Sequence, residues 1–278
     1  MTSEQPAPMS IGKVTLTVHD LDSVSAFYQK ALGLQRLSGA ADHAVLGVGG
    51  AALLELRADK AARRSSPREA GLFHTAFLLP ARADLGRWLK HAAASGISLQ
   101  GASDHLVSEA LYLADPEGNG IEIYRDRPRA DWPRKGGAIA MATERLDIDD
   151  VISSAGASAW GGYPEGGIVG HVHLQVGALP EAEAFYISTL GFEPTAHYPG
   201  AAFYSTGGYH HHLATNIWNS RGAAARAGPS TGLTDVGILA SSQAVIDAVR
   251  ARAAPGQAGG GALTVRDPWG TGLTLSVA

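Results

Sequence analysis

The groups in this chain that could do chemistry are imidazoles and carboxylates. The chain has 278 residues, of which 11 are histidine and none is cysteine. The absence of cysteine excludes disulfides, thiolate metal ligands and a cysteine nucleophile. Any bound metal must therefore be held by His, Asp or Glu, and these ligands suit iron(II), manganese(II), zinc or nickel.

Histidines are frequent in the second half of the chain. His171 and His173 are two residues apart in IVGHVHLQV, which predicts a strand with both imidazoles on one face. Residues 210–212 are three consecutive histidines. His171, His212 and Asp235 could form a metal site of two histidines and one carboxylate, with His173 beside it. The same histidines could instead form a hydrogen-bonded cluster that lines a pocket without a metal.

A single carboxylate stands out in the stretch SDHLVSEALYLADPEGNGIEIYR, residues 103–125. Two alternating apolar runs joined by the turn sequence DPEGNG predict a β-hairpin. In the second run Glu122 points away from Ile121 and Ile123, so it lies alone on its face of the strand. Such an acid on an isolated strand is usually exposed to solvent.

The elements that would position these groups repeat along the chain. A strand, a helix and late strands recur four times. FYQKALGL at Phe27 matches FYISTLGF at Phe185, and ADPEGNGIEI matches RDPWGTGLTL. One such unit cannot close its own sheet. We therefore predict an α+β fold of four βαβββ modules in two tandem pairs, each pair forming a curled, cup-like mixed sheet with the helices outside.

The pattern also predicts domain boundaries and cellular context. We expect a flexible N-terminus (1–10), a first paired domain (11–126), a Pro- and Arg-rich linker (127–167) and a second paired domain (168–278). The net charge of −4 favours neither a nucleic-acid nor a membrane partner. No membrane-spanning run or signal peptide is evident, so a cytoplasmic location is predicted. Arg125, Asp126, Arg127 and Arg129 look like a solvated or capping cluster without chemistry.

The four modules and three motifs resemble a known superfamily. The motifs are DHLVSEALYLADPEGNGIEIY, GHVHLQV and GGYHHHLATNIWNS. They resemble the vicinal oxygen chelate superfamily, which includes glyoxalase I, bleomycin-resistance proteins and extradiol dioxygenases, and most closely its CatE-like catechol-2,3-dioxygenase branch. The resemblance covers nearly the whole chain. It implies a divalent metal, Fe(II) first and Mn(II), Ni(II) or Zn(II) as alternatives, a small aromatic or dicarbonyl substrate, O₂ if the protein is a dioxygenase, and a homodimer formed through edge strands.

The resemblance also implies roles for individual residues. Comparison of the repeats places Lys13, His74, His171 and Asp235 at equivalent first-strand positions. The equivalent last-strand positions are Glu55, Glu122, either His212 or its neighbour Leu213, and Thr274. The family's metal ligands then fall on His74 and Glu122, with Glu55 as the third. The family's acid/base histidine falls on His105, which could take a catechol hydroxyl proton if its pKa is near neutrality.

Lys13 departs from the family pattern, because a dioxygenase would carry histidine there. An ammonium group repels a nearby divalent cation, whereas it would pair well with Glu122 and Glu55. Three functions therefore stay open: a metal-dependent extradiol ring-cleaving oxygenase, a glyoxalase-type isomerase or lyase, and a metal-free small-molecule binding protein of the resistance type. The binding protein is the function that Lys13 favours.

Overall fold

The computed structural model describes residues 7–253 and 262–278. The strands are Met9–Val18 (β1), Gln35–Gly39 (β2), His43–Val48 (β3), Ala51–Ala58 (β4), Gly71–Leu78 (β5), Gly101–Asp104 (β6), Ser108–Ala114 (β7), Gly120–Asp126 (β8), Arg134–Lys135 (β9), Ala138–Ile139 (β10), Glu144–Arg145 (β11), Ile168–Gln175 (β12), Glu193–Tyr198 (β13), Ala201–Ser205 (β14), Leu213–Asn216 (β15), Gly232–Ala240 (β16), Leu263–Arg266 (β17) and Gly272–Val277 (β18).

The helices are Leu21–Ala31 (α1), Arg82–Ala94 (α2), Ile148–Ser153 (α3), Leu179–Glu183 (α4) and Gln243–Arg252 (α5), with a 3₁₀ turn at Arg129–Asp131 and a π-helical segment at Ala184–Thr189. The order strand, helix and three strands occurs three times, starting at β1, β5 and β12. A fourth copy starts at β16, and two strands follow α5 within the described residues. The predicted α+β fold of βαβββ modules is confirmed. No helix among these residues is both long and apolar enough to cross a membrane.

The chain divides into two compact units, which are interleaved along the sequence. The first contains the described parts of Met1–Thr17, Ala61–Phe73 and Gly170–Ala278, and the second contains Val18–Lys60 and His74–Val169. The predicted consecutive domains, 11–126 and 168–278, stay a prediction. Residues 1–6 of the predicted flexible N-terminus lie outside the described residues, whereas Met9 and Ser10 already belong to β1.

The second unit contains two sets of strands. One is the antiparallel set β2–β3–β4, against which α1 packs. In the other, β11, β6, β7 and β8 are antiparallel neighbours, and β8 pairs in parallel with β5. The predicted hairpin is β7–β8. This arrangement places the first and last strands of the second module side by side.

The first unit contains β1 beside the strands of the third and fourth modules. β1 is antiparallel to β16, which is parallel to β18, and β17 follows at the edge. Separately, β12 is parallel to β15, which continues antiparallel into β14 and β13. The first strand of module one thus pairs with the first strand of module four, a partner that the sequence did not predict.

A buried tyrosine–aspartate contact appears once in each unit and shows the duplication at atomic level. Tyr28 from α1 donates to Asp115 at 3.5 Å, and Tyr186 donates to Asp267 at 3.0 Å. Each aspartate also accepts two backbone N–H groups of its own turn. Burial raises the pKa of both aspartates and of both tyrosines. The DPEGNG and RDPWGTG turns are therefore two copies of one device.

The predicted linker, 127–167, contains regular structure that its composition did not indicate. It includes α3, which packs on α2. Gly86 of α2 allows this packing, because a Cβ at that position would meet the carbonyl oxygen of Val151. The segment also supplies β11, which pairs with β6 next to the central hairpin.

Candidate active site

His74 and Glu122 meet in the interior of the second unit. His74 is on β5 and Glu122 on β8, and the parallel register sets Glu122 beside Ala76, two residues beyond His74 on the same face. Nε2 of His74 lies 2.9 Å from Oε2 of Glu122. Both residues are buried, because only 6% of the surface of His74 and 2% of that of Glu122 is exposed to solvent. The acid that an isolated strand would expose to solvent is therefore enclosed and in contact with an imidazole.

This pair has the chemistry and spacing of two metal ligands. Divalent ions are bound by histidine nitrogen and carboxylate oxygen at about 2.1 Å, so two ligands at right angles lie about 3 Å apart. The observed 2.9 Å agrees with that separation. An imidazole and a carboxylate also supply two of the three protein ligands in a catalytic metal site formed by two histidines and one carboxylate. The donor set in the structure therefore fits a divalent cation.

A tyrosine connects this pair to the predicted acid/base histidine. The Tyr112 hydroxyl lies 2.7 Å from Nε2 of His105 and also hydrogen bonds to the Glu122 carboxylate. Tyr112 sits directly across the hairpin from Glu122. Burial, followed by the neighbouring Glu122 charge, raises the pKa of Tyr112, so the phenol keeps its proton and remains a donor.

The second ring nitrogen of His105 has a defined role. Nδ1 lies 2.7 Å from the carbonyl oxygen of Ala142, which can only accept, so Nδ1 carries a proton. In the neutral ring Nε2 is then the acceptor, and it faces the Tyr112 hydroxyl. The single Tyr112 proton can be donated to Nε2 of neutral His105 or to the Glu122 carboxylate. Both contacts are hydrogen bonds at once when His105 has taken a proton, because its Nε2–H then donates to the Tyr112 oxygen while Tyr112 donates to Glu122.

Tyr112 is a site residue that the sequence analysis missed, although the sequence contained the signal. Tyr112 lies three residues before Asp115, the first residue of the turn between β7 and β8, and Glu122 lies three residues after Asn119, the last. Counting outward from the turn sets the two side chains opposite each other on one face. The alternation of Glu122 with its isoleucine neighbours within the second strand does not by itself reveal this partner.

Glu55 is not brought to the pair. It lies on β4, and its Oε1 accepts a hydrogen bond from Nε of Arg57 at 2.6 Å. Within the part of the chain that the structure describes, Glu55 does not belong to any group of three potential metal ligands whose donor atoms lie within 4.8 Å of one another. The structure thus brings together two of the three predicted first-choice ligands.

Lys13 lies on β1 in the first unit. The register of β1 against β16 shifts between Ile11 and Val14, so Lys13 falls in a β-bulge. That its ammonium pairs with Glu122 or Glu55 stays a prediction.

The histidines of the first unit form a dense cluster. His171 and His173 on β12 are buried, as are residues 210–212 just before β15. Nε2 of His173 is 3.0 Å from the amide nitrogen of Asn216, and the rings of His171 and His211 are 4.1 Å apart. Trp218, half exposed, has its ring 5.5 Å from that of His173.

The predicted second-domain metal set is not assembled within this unit. Asp235 lies on β16, where it accepts a hydrogen bond from the Thr274 hydroxyl at 2.8 Å. His171 and His173 lie on β12, which belongs to a different set of strands. Nδ1 of His212 accepts from the Thr206 backbone at 3.3 Å. In the part of the chain that the structure describes, no three of these four side chains lie within 4.8 Å of one another.

Comparison with known proteins agrees with this architecture. The family model of the Glyoxalase/Bleomycin resistance protein/Dioxygenase superfamily matches residues 10–123 and 168–274. Catechol-2,3-dioxygenase of Bacillus subtilis (strain 168) is 39% identical over 247 residues, covering 87% of this chain and 86% of the relative.

Two solved structures show the same fold at low identity. Glyoxalase I from Zea mays aligns with a TM-score of 0.57 at 15% identity, over 97% of this chain and 92% of its own. The cppA protein of Streptococcus pneumoniae aligns with a TM-score of 0.55 at 12% identity, over 97% of this chain and 99% of its own. The chain therefore belongs to the glyoxalase/bleomycin resistance protein/dioxygenase superfamily.

Proposed function

We propose that this protein is a metal-dependent extradiol dioxygenase that cleaves the ring of a small catechol with O₂. The observation that carries the proposal is the buried contact between His74 and Glu122, at the spacing of two metal ligands. The 39% identity to a catechol-2,3-dioxygenase supports a catechol as the substrate. Both oxygen atoms of O₂ enter the ring-opened product, so the reaction needs no external reductant.

His74 and Glu122 would hold the ion, which we infer to be iron(II), with manganese(II), nickel(II) or zinc(II) as alternatives. A bound divalent ion supplies Lewis-acid chemistry and, for iron or manganese, electrons for oxygen activation. A neutral imidazole and one carboxylate leave part of the charge of such an ion uncompensated, and this charge favours an anionic catecholate as the guest.

His105 and Tyr112 would handle the substrate proton. With Nδ1 held by the Ala142 carbonyl, the Nε2 lone pair of neutral His105 can act as a base. The Tyr112 hydroxyl beside it can pass a proton onward or stabilise the imidazolium that forms. Because Nδ1 carries a proton, Nε2 is the ring nitrogen that can take the substrate proton.

The test is anaerobic loading of the purified, untagged protein with iron(II), followed by catechol and oxygen. We expect a yellow ring-cleavage product and one O₂ consumed for each catechol. His74→Ala and Glu122→Ala should abolish both the activity and stoichiometric metal binding. His197→Ala is the matched control, because this exposed histidine contacts only Glu183 among the described hydrogen bonds. Absence of product at full metal occupancy would refute the proposal.

The third ligand is decided by metal binding rather than by turnover. Glu55→Ala removes the residue that the sequence comparison offers for this role. Loss of metal affinity in Glu55→Ala would identify Glu55 as the third ligand, and unchanged affinity would exclude it. Sedimentation analysis of the same samples tests the expected homodimer.

An isomerase of the glyoxalase type predicts a different result in the same experiment. Its activity would require nickel or zinc, act on a thiol adduct and be indifferent to oxygen. A metal-free binding protein predicts no stoichiometric metal and tight binding of the aromatic ligand alone. Oxygen consumption therefore separates the dioxygenase from both alternatives.

A further inference from the structure

The turn that carries His105 contains the one strained backbone position of the described chain outside glycine. Leu106 has φ of +68°, and no other non-glycine residue within 7–253 and 262–278 has a positive φ. The left-handed conformation costs an ordinary side chain about 1–2 kcal/mol. Strain of this kind persists only where surrounding contacts enforce it, and such positions cluster at functional sites.

Asp104 and Arg127 supply the enforcing contacts. Oδ1 of Asp104 accepts the backbone N–H of Leu106 at 2.8 Å, and Oδ2 of Asp104 accepts from Nη2 of Arg127 at 2.6 Å. The backbone N–H of Arg127 donates to the carbonyl oxygen of Val107 at 2.8 Å. Arg127 thus contacts the residues around Leu106 in two ways, through its guanidinium to Asp104 and through its backbone N–H to Val107. We call these contacts the Asp104–Arg127 clamp.

The clamp fixes where the His105 ring can go. His105 must reach the Ala142 carbonyl with one nitrogen and the Tyr112 hydroxyl with the other, each at 2.7 Å. The histidine side chain has only two rotatable bonds, so contact with both partners requires a fixed backbone at residue 105. If Leu106 relaxed to a negative φ, the peptide joining it to His105 would rotate and one of the two contacts would open.

We propose that Arg127, acting through Asp104, is a positioning residue that holds His105 in its Nδ1–H tautomer with Nε2 facing Tyr112. The significance of this role for catalysis rests on the proposed function, whereas the tautomer itself does not. Arg127 belongs to the charged run that the sequence predicts to be a solvated cluster. In the structure Arg127 instead contacts Asp104 and Val107, on either side of Leu106.

The neighbouring Arg125 provides a matched control. Both arginines contact the buried Glu109 carboxylate, Arg125 through Nε at 2.7 Å and Arg127 through Nη2 at 3.4 Å. Both line the same cavity of about 430 Å³. Of these two arginines, only Arg127 contacts Asp104 among the described hydrogen bonds and ion pairs. The cavity gives a substituted side chain room, so replacement does not force a clash.

The experiment measures the His105 tautomer by two-bond ¹H–¹⁵N correlation NMR of metal-free, histidine-labelled protein. The His105 signals are assigned by their loss in His105→Gln. Wild type should show the Nδ1–H form. Arg127→Met should show a mixture of both tautomers, and Arg127→Lys should restore part of the wild-type signal. Arg125→Met should lower thermal stability but leave the His105 tautomer signal unchanged.

Leu106→Gly supplies a rescue that a merely structural role does not predict. Glycine adopts positive φ without strain, so the turn no longer depends on the clamp. The double variant Arg127→Met with Leu106→Gly should return toward the Nδ1–H form. In the iron-loaded enzyme, Arg127→Met should lower kcat roughly tenfold with little change in KM, a part of the roughly 10²–10⁴-fold that a positioned acid–base group contributes.

The outcomes separate this inference from the proposed function. A wild-type Nε2–H tautomer, or an unchanged Nδ1–H signal in Arg127→Met, overturns the inference even if the enzyme cleaves catechol. A tautomer change that Leu106→Gly reverses supports the inference even if no catechol is cleaved. If Arg127→Met does not fold, Asp104→Asn removes the charge that Arg127 contacts while keeping an oxygen for the Leu106 N–H, and the same tautomer comparison applies.

Discussion

Removal of the Tyr112 hydroxyl is the sharpest perturbation of the candidate site. Tyr112→Phe deletes one oxygen atom and keeps the ring that packs 5.6 Å from the His74 imidazole. The lost hydroxyl is the shared partner of His105 Nε2, at 2.7 Å, and of the Glu122 carboxylate. The change therefore interrupts the path between the two groups without creating a large cavity.

The magnitude follows from the charge of the partner. A hydrogen bond to a charged group contributes about 1.5–3 kcal/mol, and each 1.4 kcal/mol corresponds to about a factor of ten in rate. If that contact is needed while His105 holds the substrate proton, kcat should fall about 10- to 100-fold. KM should change little, because the ring and the predicted ligands remain.

The assay is initial-rate catechol cleavage by iron-loaded protein, with the metal content of each sample measured. Tyr204→Phe is the control, since its hydroxyl hydrogen bonds to Thr215 at 2.9 Å within the first unit and makes no contact with His105. A Tyr112→Phe protein with full metal and wild-type kcat would refute the path. An equal loss in Tyr204→Phe would attribute the effect to general destabilisation.

Three further predictions concern stability, measured as the free energy of unfolding in urea. Glu109→Ala should cost about 3–5 kcal/mol, because the buried carboxylate binds Arg82 and Arg125 and its loss leaves their charges uncompensated; a cost below 1 kcal/mol would contradict this. Gly86→Ala should destabilise despite better helix propensity, since its Cβ would meet the Val151 carbonyl; a gain in stability would show that α3 can move away. Burial raises the pKa of Asp115 in the folded protein, so wild type should gain stability relative to Asp115→Asn as pH falls through that raised pKa toward the ordinary aspartate value, and lose it as pH rises; a pH-independent difference would contradict the shift.

Much of the fold was predictable from local pattern. Period-two alternation and the DPEGNG turn predicted β7–β8, and the duplicated FY and DP motifs predicted repeated modules, because both signals depend only on neighbouring residues. The pairing of β1 with β16 was not predictable in this way. Four similar first strands offer similar faces, and the choice among them depends on packing between distant segments that no local pattern records.

The candidate site was predictable to the extent that it follows the repeats. His74 and Glu122 were placed by their equivalent positions, and the structure brings them into contact. Glu55 was chosen by the same equivalence, but β4 belongs to a different set of strands. The role of Arg127 was not visible, because its partners Asp104 and Glu109 lie 23 and 18 residues earlier and a charged run looks solvated without them.

The pairing of β1 with β16 affects how the chain folds during synthesis on the ribosome. Val14 pairs with Val236, so these two strands are separated by about 220 residues of sequence. At roughly 5–20 residues per second, the earlier strand emerges about 10–45 seconds before its partner is synthesised. During that interval one edge of β1 is open to other chains. Factors that shield nascent strands should therefore raise the yield of this protein more than they raise that of proteins whose first strand pairs locally.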